Sequence, residues 1–173
     1  MLGPAPGLPP LTTVGDADHV STLEAALPAS LTSLMLFEEF SDQVSAVFGA
    51  QPQRDAPRVA DPQVSRALAE RSVGLERVAA AFVAEAADFF AAVRCEWTWS
   101  KLRLLSLTSR MLVPDPGTGT GPSTGPSASD MLCRAARVIK QMPKLQILEI
   151  WNGGTRLARL FRFEVAGDKA TVT

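Results

Sequence analysis

Two seven-residue segments of this chain obey one rule, and that rule constrains the fold more than any other feature. Lys101-Leu102-Arg103-Leu104-Leu105-Ser106-Leu107 and Lys144-Leu145-Gln146-Ile147-Leu148-Glu149-Ile150 both read K-L-x-h-L-x-h, where h is apolar. A looser L-x-x-h-x-h frame recurs at Leu31, Leu34, Leu36 and, more weakly, at Leu75, Val78, Ala80. Four copies therefore begin at residues 31, 75, 102 and 145. Self-similarity of this kind predicts stacked units, none of which can bury its own apolar face alone. The spacings of 44, 27 and 43 residues are uneven, so the repeat is degenerate.

In a leucine-rich-repeat frame the first apolar residue packs at a turn and the next two point inward along a short strand. Parallel strands need crossovers, and the intervening segments carry helix signals. Asp61-Pro62 supplies an N-cap and a proline at the first helical position, followed by Val64, Ala67 and Leu68 on one face, with Gly74 available as a stop. Ser129 can cap a second helix, in which Met131, Leu132, Ala135, Val138, Ile139 and Met142 recur at helical spacing before Pro143. Its outer face carries Arg134, Arg137 and Lys140, a stripe expected to be solvated. Shorter helices are expected near Asp42 to Phe48 and Ala86 to Arg94. Phe161, Phe163 and Val165 alternate with Arg162 and Glu164 as in a strand, and the Ala166 to Lys169 turn leads to a last short strand. The expected fold is α/β: a degenerate leucine-rich-repeat-like stack, with a short parallel sheet, helices on one face and a C-terminal strand pair. It would occupy residues 26–173, after a disordered Pro/Gly-rich lead over 1–25, and would carry a flexible Gly/Pro/Ser/Thr loop at 113–128.

Composition removes most functional classes. Seventeen Lys and Arg balance eighteen Asp and Glu, which leaves no global charge to attract nucleic acid or an anionic membrane. The longest apolar run, Val78 to Ala84, is far shorter than the roughly 20 residues of a membrane span. The proline-broken N-terminus does not read as a secretory signal, so an intracellular site, cytoplasmic or nuclear, is expected. Cys95 and Cys133 then read as free thiols acting as small hydrophobes. The single His19 lies in the lead, there is no Tyr, and adjacent Glu38 and Glu39 diverge on a strand. No catalytic, cofactor-binding or metal-binding residue is therefore assigned. The Gly-rich stretch after Val113 lacks the Gly-Lys-Ser/Thr ending of a phosphate loop, and Asn152-Gly153-Gly154 reads as a turn. Trp97 and Trp99 are expected in the core.

Strand parity supplies the candidate surface. With Leu34, Leu36, Val78, Ala80, Leu105, Leu107, Leu148 and Ile150 inward, Met35, Phe37, Ala79, Ala81, Ser106, Thr108, Glu149 and Trp151 point outward. Of these, Met35, Phe37, Ser106, Thr108, Glu149 and Trp151 are the candidate partner-binding residues. They would wall and floor a shallow groove, unless the C-terminal hairpin or a further N-terminal part folds over that face.

Several local matches resemble one family of uncharacterised filamentous-fungal proteins, whose longer members begin with an F-box-like segment and continue as a degenerate leucine-rich-repeat region. They are Leu27-Pro28 with Leu31, Phe37-Glu38-Glu39-Phe40, Asp61-Pro62, Asp88-Phe89-Phe90, Trp97-Thr98-Trp99, Leu105-Ser106-Leu107-Thr108-Ser109, Met142-Pro143-Lys144-Leu145 and Ile150-Trp151-Asn152-Gly153-Gly154. The resemblance implies a non-enzymatic protein-interaction scaffold, similar to the substrate-recognition region of F-box proteins. A ubiquitin-ligase adaptor would be a partner only if an F-box is supplied elsewhere, since a Pro/Gly lead stands ahead of Leu27. The alternative is a structural fragment of a longer F-box-like protein without independent activity.

Overall fold

A computed structural model describes residues 20–21, 23, 27–28, 30–38, 60–112, 127–153, 158–167 and 169–173. The expected helix near Asp42 to Phe48, His19, Glu39, Gly154, and nearly all of the expected lead and 113–128 loop lie outside these residues.

Six strands form one mixed sheet in the order of the chain. β1 (Ser33–Phe37), β2 (Arg77–Glu85), β3 (Leu104–Thr108) and β4 (Ile147–Gly153) run parallel. β5 (Ala158–Ala166) and β6 (Lys169–Val172) continue the sheet antiparallel. The register joins Leu34 to Val78, Val78 to Leu105 and Leu105 to Leu148, and then Leu36 to Ala80, Leu107 and Ile150. These are the second and third apolar positions of the four sequence frames, side by side. The leading leucines Leu75, Leu102 and Leu145 are buried just ahead of their strands, and Leu31 packs against the core.

Three helices fill the crossovers. α1 (Pro62–Ser72) starts where Asp61 accepts a hydrogen bond from the Gln63 N–H at 2.8 Å, and proline needs no partner for its own nitrogen. α2 (Ala86–Ala92) follows β2 without a loop. α3 (Ala128–Ile139) is capped by Ser127, not Ser129: the Ser127 hydroxyl accepts from the Asp130 N–H at 3.1 Å, and Asp130 accepts from the Ser127 N–H at 3.0 Å. That reciprocal pair satisfies two donors at once, which Ser129 could not do from inside the first turn. The Asp130 carboxyl is held below its ordinary range, first by the backbone N–H of Ser127 and then by its hydroxyl.

The inward faces of these helices, including Val64, Leu68, Phe89, Phe90, Met131 and Val138, share one core with the inward strand residues. Full burial of each large apolar side chain stabilises by about 1.5 to 3 kcal/mol. Trp99 is fully buried, donates its Nε1–H to the Ser72 hydroxyl at 2.8 Å, and meets half-buried Trp97 edge-on at 6.0 Å. Val20 and Leu23 also contact this core, so it extends upstream of residue 26. Cys95 and Cys133 are free thiols, but both are exposed: Cys95 sits in the turn after α2, and Cys133 falls off the inward Met131–Ala135–Val138 line of α3.

Candidate partner-binding face

The sheet face away from the helices is built from the alternate residues of each strand. One row across it is Met35, Ala79, Ser106, Glu149 and Arg162. Met35 and Glu149 stand three strand spacings apart, about 14 Å. Between them lie only the small side chains of Ala79 and Ser106, both half-buried. On β1, Met35 is 80% exposed and Phe37 68% exposed. The C-terminal hairpin does not fold over this face; it extends the sheet sideways from β4.

The far wall depends on a bulge. Between Ala80, opposite Leu107, and Glu85, opposite Thr108, the four residues Ala81 to Ala84 of β2 have no counterpart on β3. Phe82 adopts a φ of 63°, a conformation that favours glycine. The Thr108 hydroxyl closes the bulge by accepting from the Phe82 N–H at 2.8 Å and donating to the Ala84 carbonyl at 3.3 Å. As a result Phe82 meets Trp151 edge-on at 5.4 Å, and the two aromatic rings form one wall.

This arrangement corrects one expected site residue. Thr108 is 5% exposed and spends its hydroxyl on the bulge, so it presents nothing to a partner. Of the others, Met35, Phe37, Ser106, Glu149 and Trp151 reach the open face to different degrees. Glu149 is committed to Arg162 at 2.6 Å, and Arg162 also bonds Glu164 at 3.0 Å, so this end of the row is a closed ion-pair ladder. A shallow depression of about 390 Å³ opens beside Trp151, lined by Glu149, Asn152, Ala158, Arg159 and Leu160. Phe82 was not readable as a site residue, because nothing within the run Val78 to Ala84 marks a bulge. Its seven consecutive apolar residues, without alternation, were the one available signal.

Below the bulge lies a buried polar cluster. Glu85 is 8% exposed, and its carboxylate accepts from the Ala87 N–H at 3.4 Å, the Arg110 N–H at 3.1 Å and the Ser109 hydroxyl. The Glu85 N–H in turn donates to the Ser65 hydroxyl at 3.0 Å. One side chain thus caps α2 and pins the 3-10 turn Arg110–Leu112 after β3. Among the described residues, no group of three or more His, Cys, Asp or Glu is placed to hold a metal ion. No described helix is long and apolar enough to cross a membrane.

A family of unknown function, DUF6546, matches residues 26–173. The chain belongs to that family. The match spans the six strands and the three crossover helices described above, so the open face and its bulge lie wholly inside the family region. No curated protein and no solved structure matches the chain.

Proposed function

We propose that this DUF6546 chain is a non-enzymatic protein-interaction scaffold whose sheet face opposite the helices receives a protein partner. The observation that carries the proposal is that, among the described residues, no element lies over the outer face of the parallel strands, where Met35 and Phe37 are the most exposed large apolar side chains. Parallel sheets ordinarily have both faces covered, because their crossovers place helices on them. Repeat scaffolds are the exception, and they use the uncovered face for binding. On this reading the four aligned frames are a leucine-rich-repeat-like stack, similar to the substrate-recognition region of fungal F-box proteins. Phe37 on one wall and Trp151 on the other are the anchors, since aromatic side chains dominate interface energetics. The exposed thiols of Cys95 and Cys133 fit a reducing, intracellular setting.

The test is affinity capture from fungal lysate with immobilised wild-type, Phe37→Ala and Trp151→Ala chains, each with and without the ubiquitin-ligase adaptor. A reproducible partner retained by wild type and lost from Phe37→Ala supports the proposal. Absence of any reproducible partner would favour a structural fragment instead.

A further inference from the structure

Helix α3 and the loops ahead of β3 and β4 gather a block of cations along one corner of the molecule. Residues 93–107 and 131–146 hold seven Lys and Arg and a single carboxylate, Glu96, in a chain whose net charge is −1. Backbone bonds draw the two segments together: the Trp99 N–H donates to the Gln141 carbonyl at 2.9 Å, and the Gln146 N–H donates to the Arg103 carbonyl at 2.8 Å. With its side-chain amide turned to donate, Gln141 also reaches the carbonyls of Trp97 at 2.8 Å and of Arg94 at 3.2 Å. Lys101 and Lys144 hold the same place in their frames, three residues ahead of the paired Leu104 and Ile147. Arg134, Arg137 and Lys140 follow at three-residue spacing along the exposed side of α3 and its C-cap.

All seven cations are exposed, and among the described residues none forms an ion pair. Glu76, whose carbonyl accepts from the Arg103 N–H at 2.7 Å, does not pair with that guanidinium, and the Glu96 carboxylate accepts from the Cys95 thiol at 3.4 Å. The negative end of the α3 dipole accounts for Arg137 and Lys140. It does not account for Arg94, Lys101, Arg103 or Lys144, which lie outside helices and strands. Arg94 is seated over the Trp97 ring, 5.5 Å from its centroid, and not against a carboxylate. Like charges set side by side without partners cost the fold stability, so packing gives no reason for the block.

We propose that this corner docks an acidic segment of a partner protein, a run of Asp and Glu side chains laid across Lys101 and Lys144 and reaching the basic stripe of α3. The site goes beyond the open sheet face, since α3 packs on the opposite side of the sheet. Arginine meets a carboxylate with two parallel hydrogen bonds and lysine meets it as a point charge, so both residue types suit such a segment. Exposed pairs are individually weak and screened by salt, so several must form at once. Phosphate-rich polymers fit less well. A nucleic-acid-binding domain is basic as a whole, whereas this chain has a pI of about 5.8. Single strands also need open aromatic faces on which bases stack, and half-buried Trp97 has Arg94 over its ring and Trp99 edge-on beside it.

The test is fluorescence anisotropy of a labelled oligoglutamate peptide titrated with the full chain at about 50 and about 300 mM salt, between which the screening length falls about twofold. The wild type should bind saturably at the lower salt and at least about fivefold more weakly at the higher. Lys101→Glu combined with Lys144→Glu should weaken binding at least about tenfold and keep the wild-type thermal melt, since both side chains are exposed. Arg66→Glu combined with Arg159→Glu changes the net charge equally at exposed positions outside the corner, and should stay within about twofold of wild type. Phe37→Ala should also bind the peptide like wild type, which keeps this result separate from that of the open face. No binding to the peptide, equal losses in the two charge-reversed chains, or tighter binding of a labelled oligothymidine strand of equal charge would each overturn the proposal. If the Lys101→Glu, Lys144→Glu chain does not melt cooperatively, Lys101→Gln with Lys144→Gln takes its place, and wild-type affinity in that chain would overturn the proposal as well.

Discussion

Glu85 joins three elements through one carboxylate: it ends β2, caps α2 and holds the turn after β3. Glu85→Ala should destabilise by about 1 to 3 kcal/mol, because it strands buried donors, while Glu85→Gln keeps an acceptor and should lose less. Urea unfolding checks both, as a shifted midpoint at unchanged slope. Phe82 raises a separate question, since its backbone conformation and its ring can be tested apart. Phe82→Ala and Phe82→Gly both lose the ring against Trp151, but only glycine relaxes at a φ of 63°. The glycine variant should therefore be the more stable of the two by about 1 to 2 kcal/mol; equal stabilities would mean the bulge does not hold that conformation. Asp130 links stability to pH. Its carboxyl is lowered in the folded chain, so its contribution is present above the unfolded pKa of about 3.9 and is lost as pH falls through the folded value. The stability gap between wild type and Asp130→Ala should hold from neutral pH to about pH 5 and shrink below about pH 4.

At the scale of elements, the inward rows carry the fold. Leu105 and Leu148 are neighbours in the register and fully buried, so each Leu→Ala change should cost about 2 to 5 kcal/mol through lost transfer energy and a cavity. Near-neutral thermal shifts at both positions would contradict the packing of these strands against the helices. These residues were readable in advance because a strand's two-residue period allows only one parity once four frames are superposed. The α1 start was readable for a similar reason, since Asp61-Pro62 combines a cap with a pre-set φ. The β2 bulge was not, because no glycine marks it and a loop of Ala and Val within an apolar run looks like continuing strand. Thr108 was misplaced for that cause alone: its parity was outward, but the bulge passed over it. The α3 cap was misjudged by two residues, although Ser127 and Asp130 have the spacing of a capping box. The strand character of the C-terminal pair was legible in its alternation, whereas its side-by-side docking on β4 depends on tertiary pairing that no local pattern specifies.

Across the whole molecule, the helices bury one face of the sheet while the opposite face joins exposed apolar residues on β1 to an aromatic wall on β2 and β4. The two walls differ in what they contribute to the fold. Phe37 projects from an edge strand with little around it, whereas Trp151 is half-buried against Phe82, so only Phe37 can be removed without disturbing packing. Phe37→Ala is therefore the cleanest probe of the claim that this face recognises a partner. The decisive measurement is the affinity of wild type and Phe37→Ala for the captured partner, taken beside their melting temperatures. Recognition through this face predicts an unchanged melt and a loss of about 1 to 3 kcal/mol in binding. Unchanged affinity, or a melt that collapses with the substitution, would contradict it.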